Sequence, residues 1–263
     1  MSELKPTLLK NKKYKRVLEL SGDALQITTL DSRFYRRNGK YYPSITHVLS
    51  VFPKGPHYED WLKKHGYTSE HIAKKAAEEG TQTHELCELY LLGQELHFLD
   101  ERQQPKYNPE VWKMFLRFVD FWETFKPTLL ETEVHLFSDE LKIAGTCDIV
   151  CEIEGEIWII DLKTSNAVQE VYEIQTSLYQ KCYEECFQKK VGKTGILWLK
   201  SSSRGPDKTG QKIQGKNWQL IEPQRKFEKN IEIFTHIRAI FDLVNPKSSP
   251  NHSSFPTVIL RKE

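Results

Sequence analysis

Hydrophobic positions along this chain follow a helical period in its first half and a strand period over much of its second. From Ser69 to Leu92, Ile72, Ala73, Ala76, Gly80, His84, Cys87 and Leu91 recur at helical spacing, which predicts one long helix with a narrow inward stripe. Gly80 costs about 1 kcal/mol against alanine in a helix interior, so its position predicts close approach of another backbone or a ligand. Asn108-Pro109 opens a second helix as cap and first turn. Its stripe is Val111, Phe115, Phe118, Trp122 and Phe125, and Pro127 ends it. Upstream, Pro43-Ser44 caps a short helix through Leu49, and Trp61 falls on another short helical piece. Beyond Pro127 a strand is predicted from Leu129 to Phe137, carrying Glu131, Glu133 and His135 in alternation. A hairpin follows, then a helix from Val168 to Lys190 with Gln175 and Tyr179 one turn apart. Strands at Ile196–Leu199 and Trp218–Ile221 precede a last helix from about Gln224 to Val244, stopped by Pro246.

The hairpin spans Gly145 to Lys163, where β-branched and aromatic runs flank Glu154-Gly155. With those two as the loop, Ile153 faces Glu156, and counting outward sets Asp148 opposite Asp161. Opposed side chains leave the same face with β-carbons about 4.5–5.5 Å apart. The strand period of two brings Lys163 to that face as well. A solvated Asp-Lys pair is the competing reading. Against it, Ile157, Trp158, Ile159, Ile160 and Leu162 occupy both faces, which marks a strand buried on both sides, where charges persist only when paired or metal-bound. Lys163 offsets part of the repulsion between the aspartates, and a divalent cation with hard oxygen ligands, magnesium or manganese, would offset the rest. A slip of one residue would undo the arrangement.

Composition then limits the possibilities. At 263 residues the chain can build one sizeable core with an added helical subdomain. A hydrophobic share of 38% with 28% charged residues fits a soluble folded protein. The net charge of +2 is nearly balanced, so affinity for nucleic acid has to come from local patches. Three basic stretches qualify, and each has a plain alternative. Lys10, Lys12, Lys13, Lys15 and Arg16 form either a solvated arm or a phosphate contact. Between Arg33 and Tyr42, Arg36 and Arg37 interleave with aromatics around an Asn38-Gly39 turn, as base-stacking and phosphate contacts or as cross-strand packing pairs. Lys200, Arg204, Lys208, Lys212 and Lys216 face only Asp207 in a Gly/Ser-rich loop, solvated or phosphate-binding. The five cysteines are odd in number and scattered, and Met1-Ser2-Glu3-Leu4-Lys5 begins no signal peptide. No apolar run reaches membrane-spanning length. Reduced thiols and a cytoplasmic protein are expected.

In chain order, His84, Gly145-Thr146-Cys147-Asp148, Asp161-Leu162-Lys163 and Gln175-Thr176-Ser177-Leu178-Tyr179 resemble the RecB-like branch of the PD-(D/E)XK nuclease superfamily. That branch includes mitochondrial genome-maintenance exonucleases, CRISPR-associated single-strand exonucleases and many phage proteins. Tyr42-Pro43-Ser44-Ile45-Thr46 and Gly80-Thr81-Gln82-Thr83-His84 are similar to its upstream segments, so the resemblance covers roughly residues 41–221. It implies an α/β fold: a restriction-endonuclease-like core with a central mixed β-sheet flanked by helices, plus N-terminal helical additions. The expected layout is a basic arm and hairpin over 1–40, one domain over 41–245 (helical to 127, sheet core from 128) and a flexible tail over 246–263.

The resemblance also implies roles. Asp148 and Asp161 would bind Mg2+ or Mn2+ with His84 and the Leu162 carbonyl. Lys163 would activate or orient the attacking water, Gln175 and Tyr179 would position the strand and the lysine, and Glu133 would add an acidic contact. Arg36, Arg37, Lys200, Arg204 and Lys208 are the expected further DNA contacts. The implied activity is hydrolysis of DNA phosphodiesters, exonucleolytic on single strands or ends, in repair or recombination of a phage or mobile element. A structure-specific endonuclease and a catalytically inactive DNA-binding protein are the alternatives. With no Walker A loop in the chain, it would act alone or with a separate recombination or replication partner, away from membranes, in the host cytoplasm if phage-encoded. Some relatives hold an iron–sulfur cluster on one early and three late cysteines. Here none follows Cys186, so no cluster is expected. Cys147/Cys151 and Cys182/Cys186 are read as buried thiols in preference to a four-cysteine metal site.

Overall fold

The computed structural model describes residues 14–20, 24–29, 33–202 and 213–246, the first two stretches as backbone alone. Lys10, Lys12, Lys13, Arg204, Lys208, Lys212 and the tail from residue 247 lie outside the described residues.

Two sheets organise the chain. The first has four antiparallel strands in sequence order, β1 (Tyr14–Leu20), β2 (Ala24–Thr29), β3 (Arg33–Arg37) and β4 (Lys40–Pro43). The expected basic arm therefore gives way to strands from Tyr14 onward. The β3–β4 turn carries positive φ at both Asn38 (51°) and Gly39 (73°), the backbone of a type I′ hairpin. Three helices follow: α1 (Ile45–Leu49), capped by the Ser44 hydroxyl, then α2 (Pro56–His65) and, after a 3-10 turn at Gly66–Thr68, α3 (Ser69–Leu91). Next comes α4 (Pro109–Phe125), whose Asn108 side chain accepts from the Glu110 N–H.

The second sheet is the centre of the molecule. Its strands are β5 (Thr128–Ser138), β6 (Ile143–Ile153), β7 (Glu156–Lys163), β8 (Lys193–Trp198), β9 (Ile213–Gly215) and β10 (Trp218–Ile221), in spatial order β5-β6-β7-β8-β10-β9. Only β7 and β8 run parallel. The crossover between them is α5 (Val171–Phe187), and α6 (Phe227–Val244) closes the described chain. On one face, α1, α5 and α6 bury Ile45, Leu178, Phe234 and Phe241 against Cys147, Val150 and Ile159. On the other, α4 and the second half of α3 bury Leu86, Phe115 and Phe118 against Ile149, Trp158, Ile160 and Leu162. This is the expected α/β class: a mixed sheet flanked by helices.

The chain departs from its sequence pattern in two places. The helical stripe of α3 holds only in its second half: Gly80, Thr83, Leu86 and Cys87 are buried, whereas Ile72, Ala73 and Ala76 are exposed. The cysteine pair of β6 also splits, with Cys147 in the cluster under α5 and Cys151 in the cluster under α4. Cys147 and Val150 face one side while Ile149 and Cys151 face the other. Strict alternation puts 147 and 149 on one face. The alternation therefore breaks at Asp148, although the β5–β6 register runs unshifted from Glu131↔Val150 to Ser138↔Ile143.

Candidate active site

The hairpin register is the expected one from Ile153↔Glu156 to Ile149↔Ile160, with Glu154 (φ 51°) and Gly155 (φ 82°) forming the tight turn. The ladder stops one pair short of the aspartates. Asp148 instead uses its carboxylate, Oδ2 accepting the Leu162 N–H at 2.7 Å. Its backbone carbonyl accepts the Thr132 hydroxyl at 3.1 Å. Asp148 and Asp161 still meet in one cleft of about 900 Å³, whose lining includes His84, Glu133, Lys163, Gln175 and Tyr179.

One wall of the cleft is built by β7 and α5. Asp161 is buried, with Gln175 Nε2 donating to its Oδ1 at 3.0 Å. The same amide donates to the Tyr179 hydroxyl at 2.9 Å, so one helical turn of α5 carries both partners. Lys163 Nζ stands 2.5 Å from Asp161 Oδ2 and 4.6 Å from the centre of the Tyr172 ring. That ammonium is the partner of Oδ2, and its charge and hydrogen bond draw Asp161 down and Lys163 up. Gly145 lets this wall close: a Cβ there would lie 2.8 Å from Tyr179 Cε1 and 3.0 Å from Ile45 Cδ1.

The opposite wall comes from α3 and β5. His84 Nδ1 lies 3.4 Å from Asp148 Oδ1. Gly80, one turn earlier, is where α3 meets the loop after β7, since a Cβ would stand 2.9 Å from Thr164 Oγ1. Glu133 falls between Thr132↔Ile149 and Val134↔Cys147 in the β5–β6 ladder, level with Asp148. Its φ is 48°, a left-handed conformation inside a strand, which costs a non-glycine residue about 1–3 kcal/mol. Donor atoms of His84, Glu133 and Asp148 all lie within 4.8 Å of one another.

Burial is the largest influence on each acidic group, and the neighbours decide the outcome. It pushes Asp161 up to about 6, against the pull of Lys163 and with a further push from Asp148. It pushes Glu133 up to about 8, again with Asp148 adding. At Asp148 burial is outweighed by the His84 charge and hydrogen bond, Lys163 and the Leu162 N–H, which hold the carboxyl below its ordinary range. Burial also opposes the charged forms of His84 and Lys163, but adjacent carboxylates raise both above their usual values. His135, half-buried and close to Arg33, is lowered to about 4 by desolvation and that charge, and its Nδ1 pairs with Thr146 Oγ1 at 2.8 Å.

These groups suit a divalent ion: the carboxylates of Glu133 and Asp148 and the imidazole of His84 are close enough to share one. Leu162 contributes its N–H to Asp148, and its side chain is buried toward α4.

The other expected contacts lie elsewhere. Arg36, Arg37 and Lys200 do not line the cleft. Arg37 is bound to Asp139 at 2.9 Å and lies over Phe137, Arg36 sits over Tyr41, and Lys200 lies near Glu110 at the start of α4. The aromatics between them pack inward, Tyr35 and Tyr42 edge-on to Phe137. The arginine that reaches the cleft is Arg33, and Thr164 and Thr146 join it there. Sequence pattern does not single out Arg33, because its place depends on how the first sheet docks on β6. Glu133 had a readable signal. A short turn between Ser138 and Ile143 sets it level with Asp148.

A family profile for the PD-(D/E)XK nuclease superfamily matches residues 58–253. The chain belongs to that superfamily. Membership carries metal-dependent nuclease activity, a hydrolase acting on nucleic acid with divalent metal ions. No curated protein matches the chain.

Proposed function

We propose that the chain is a deoxyribonuclease that uses Mg2+ or Mn2+ and digests single-stranded DNA or DNA ends as an exonuclease. The observation that carries this reading is the meeting of His84, Asp148, Asp161, Lys163, Gln175 and Tyr179 in one cleft. They arrive there in the order that resembles the RecB-like branch. Hydrolysis adds a water oxygen to phosphorus and breaks one P–O ester bond. One water proton ends on the released hydroxyl and the other on the phosphate or in solvent. The bound ion supplies Lewis acidity, which lowers the pKa of its water and stabilises developing negative charge.

The chain's own residues have separable parts in this. Asp148, His84 and Glu133, whose donor atoms converge, would hold the ion, and the resemblance adds Asp161 and the Leu162 carbonyl. Lys163 keeps a fixed positive charge where charge develops on the phosphate, and Asp161 holds it in place at 2.5 Å. Gln175 and Tyr179 keep Asp161 oriented and position the DNA strand. A role in repair or recombination, with or without a separate partner protein and in the cytoplasm of the host cell, fits the same resemblance. Digestion of end-labelled linear and circular DNA, single- and double-stranded, with manganese present tests the reading. Loss of linear single strands while circles persist is the expected result; cutting of circles would make it an endonuclease.

A further inference from the structure

None of the residues of α2, all of them described, is buried. Only Trp61 and His65 are half-buried and the rest of the helix is exposed, yet it is rich in aromatics. Lys54 Nζ lies 4.4 Å from the centre of the Tyr58 ring. Tyr58 stacks on Trp61 at 5.9 Å with only 21° between the planes, and Trp61 lies against His65 at 5.3 Å. The result is a row of cation, phenol, indole and imidazole along one side of the helix. Tyr58 is the exposed end of the row, and exposed apolar groups continue past it: Tyr67 is fully exposed at 106%, and Ile72 on the first half of α3 is 37% exposed. Ordinary soluble surfaces scatter such groups singly; a contiguous run marks a binding surface.

Charge and position indicate what binds there. Residues 54–77 hold five lysines (54, 63, 64, 74, 75) against Glu59, Asp60 and Glu70, with His57, His65 and His71 besides. The excess of two in this short stretch equals that of the entire 263-residue chain. Glu78 and Glu79 follow and balance the stretch, but Lys75 pairs with Glu79 and Lys63 with Asp60, so the lysines in no ion pair among the described residues are Lys54, Lys64 and Lys74. The arm also runs directly into the cleft, which Ala76, Ala77, Gly80 and His84 of the same helix line.

We propose that the Tyr58–Trp61–His65 row is a stacking platform for unpaired bases, with the neighbouring lysines on the phosphates, and that it receives the strand before it enters the cleft. The proposal rests on the reading of the chain as a single-strand nuclease and adds where that strand lies. Stacking on aromatic faces tolerates any base sequence, and its loss weakens binding by about tenfold to a hundredfold per base.

The test measures anisotropy of a labelled 20-nucleotide single strand, and of an abasic strand of equal length, on the full chain in EDTA. Tyr58→Ala/Trp61→Ala is compared with wild type, and Tyr58→Leu/Trp61→Leu keeps apolar bulk without a ring. Melting curves check that both variants fold. The expected result is a loss of tenfold or more on the base-bearing strand for both variants, with no change on the abasic strand. Equal loss on both strands, or none on either, overturns the platform; none on either would assign the face to a protein partner. Cleavage separates this from the nuclease reading. A wild type that stacks bases but leaves DNA uncut in magnesium or manganese sinks the enzyme and keeps the platform. One that cuts DNA while its variants bind normally does the reverse.

Discussion

The two walls of the cleft carry similar acids in opposite states. On the β7–α5 wall, Asp161 has an ammonium and an amide beside it, both held by packed elements. On the α3–β5 wall, Glu133 has Asp148 and Glu88 as repelling neighbours, only partly offset by His84 and Arg33. The first wall is nearly complete as it stands; the second is a concentration of negative charge that a cation would relieve. Position in the cleft alone therefore does not define a role. The difference lies in which charges already have partners: Asp161 has Lys163 and Gln175, whereas the carboxylates nearest Glu133 add to its burden.

The sharpest way to break the comparison is to remove the complete wall. Asp161→Asn or Lys163→Ala should lower cleavage by more than about 10³-fold while DNA affinity stays within a few-fold. Near wild-type rates on a linear single strand would remove the catalytic assignment. Glu133→Gly should separate the walls next. The left-handed backbone at φ 48° suits glycine, so the metal-free protein should melt a few degrees higher. Metal affinity should fall by at least about 10- to 100-fold, the effect of losing a contact outside the ligands themselves, because Glu133 is placed as a ligand. Calorimetric melting and metal titration read the two effects separately.

A smaller effect is expected from pH. Asp161 (about 6) and Glu133 (about 8) sit above their unfolded values near 4, so between those limits the folded chain holds more protons than the unfolded one. Their stabilising contribution is full below about pH 4 and is lost as pH rises through 6 and then 8. His84, also raised, acts in the same direction. The melting temperature of metal-free protein should therefore drop by a few degrees from pH 5 to pH 9, and saturating magnesium should flatten the slope. A slope that rises instead would contradict the arrangement of charges. Gln175→Ala should be mildest, about tenfold in rate. Asp161 would lose the donor to its ionised form, so the acid limb of the pH–rate profile should move to higher pH.

The parts legible in the sequence were those decided locally. The Glu154-Gly155 turn set the β6–β7 register, and the Ser44 and Asn108 caps opened their helices where the side chains predicted. Helical spacing put His84 and Gly80 on one face, and both reached the cleft. What stayed hidden depended on distant packing. The stripe of α3 is continuous in sequence, but the sheet reaches only its second half. The break of alternation at Asp148 is matched by a backbone inversion at Glu133 in the neighbouring strand, and no local pattern announces such a paired irregularity. Arg36 and Arg37 have the pattern of nucleic-acid contacts, but Asp139, a hundred residues on, takes Arg37.

Gly145 touches no reacting group, yet it is the floor on which Tyr179 rests. A single added methyl would lift that ring, and the displacement would pass along Gln175 to the carboxylate beside the lysine. A Gly145→Ala protein could therefore fold, bind its ion and still turn over slowly, a lesion that sequence inspection would place in the scaffold and kinetics would place in the chemistry.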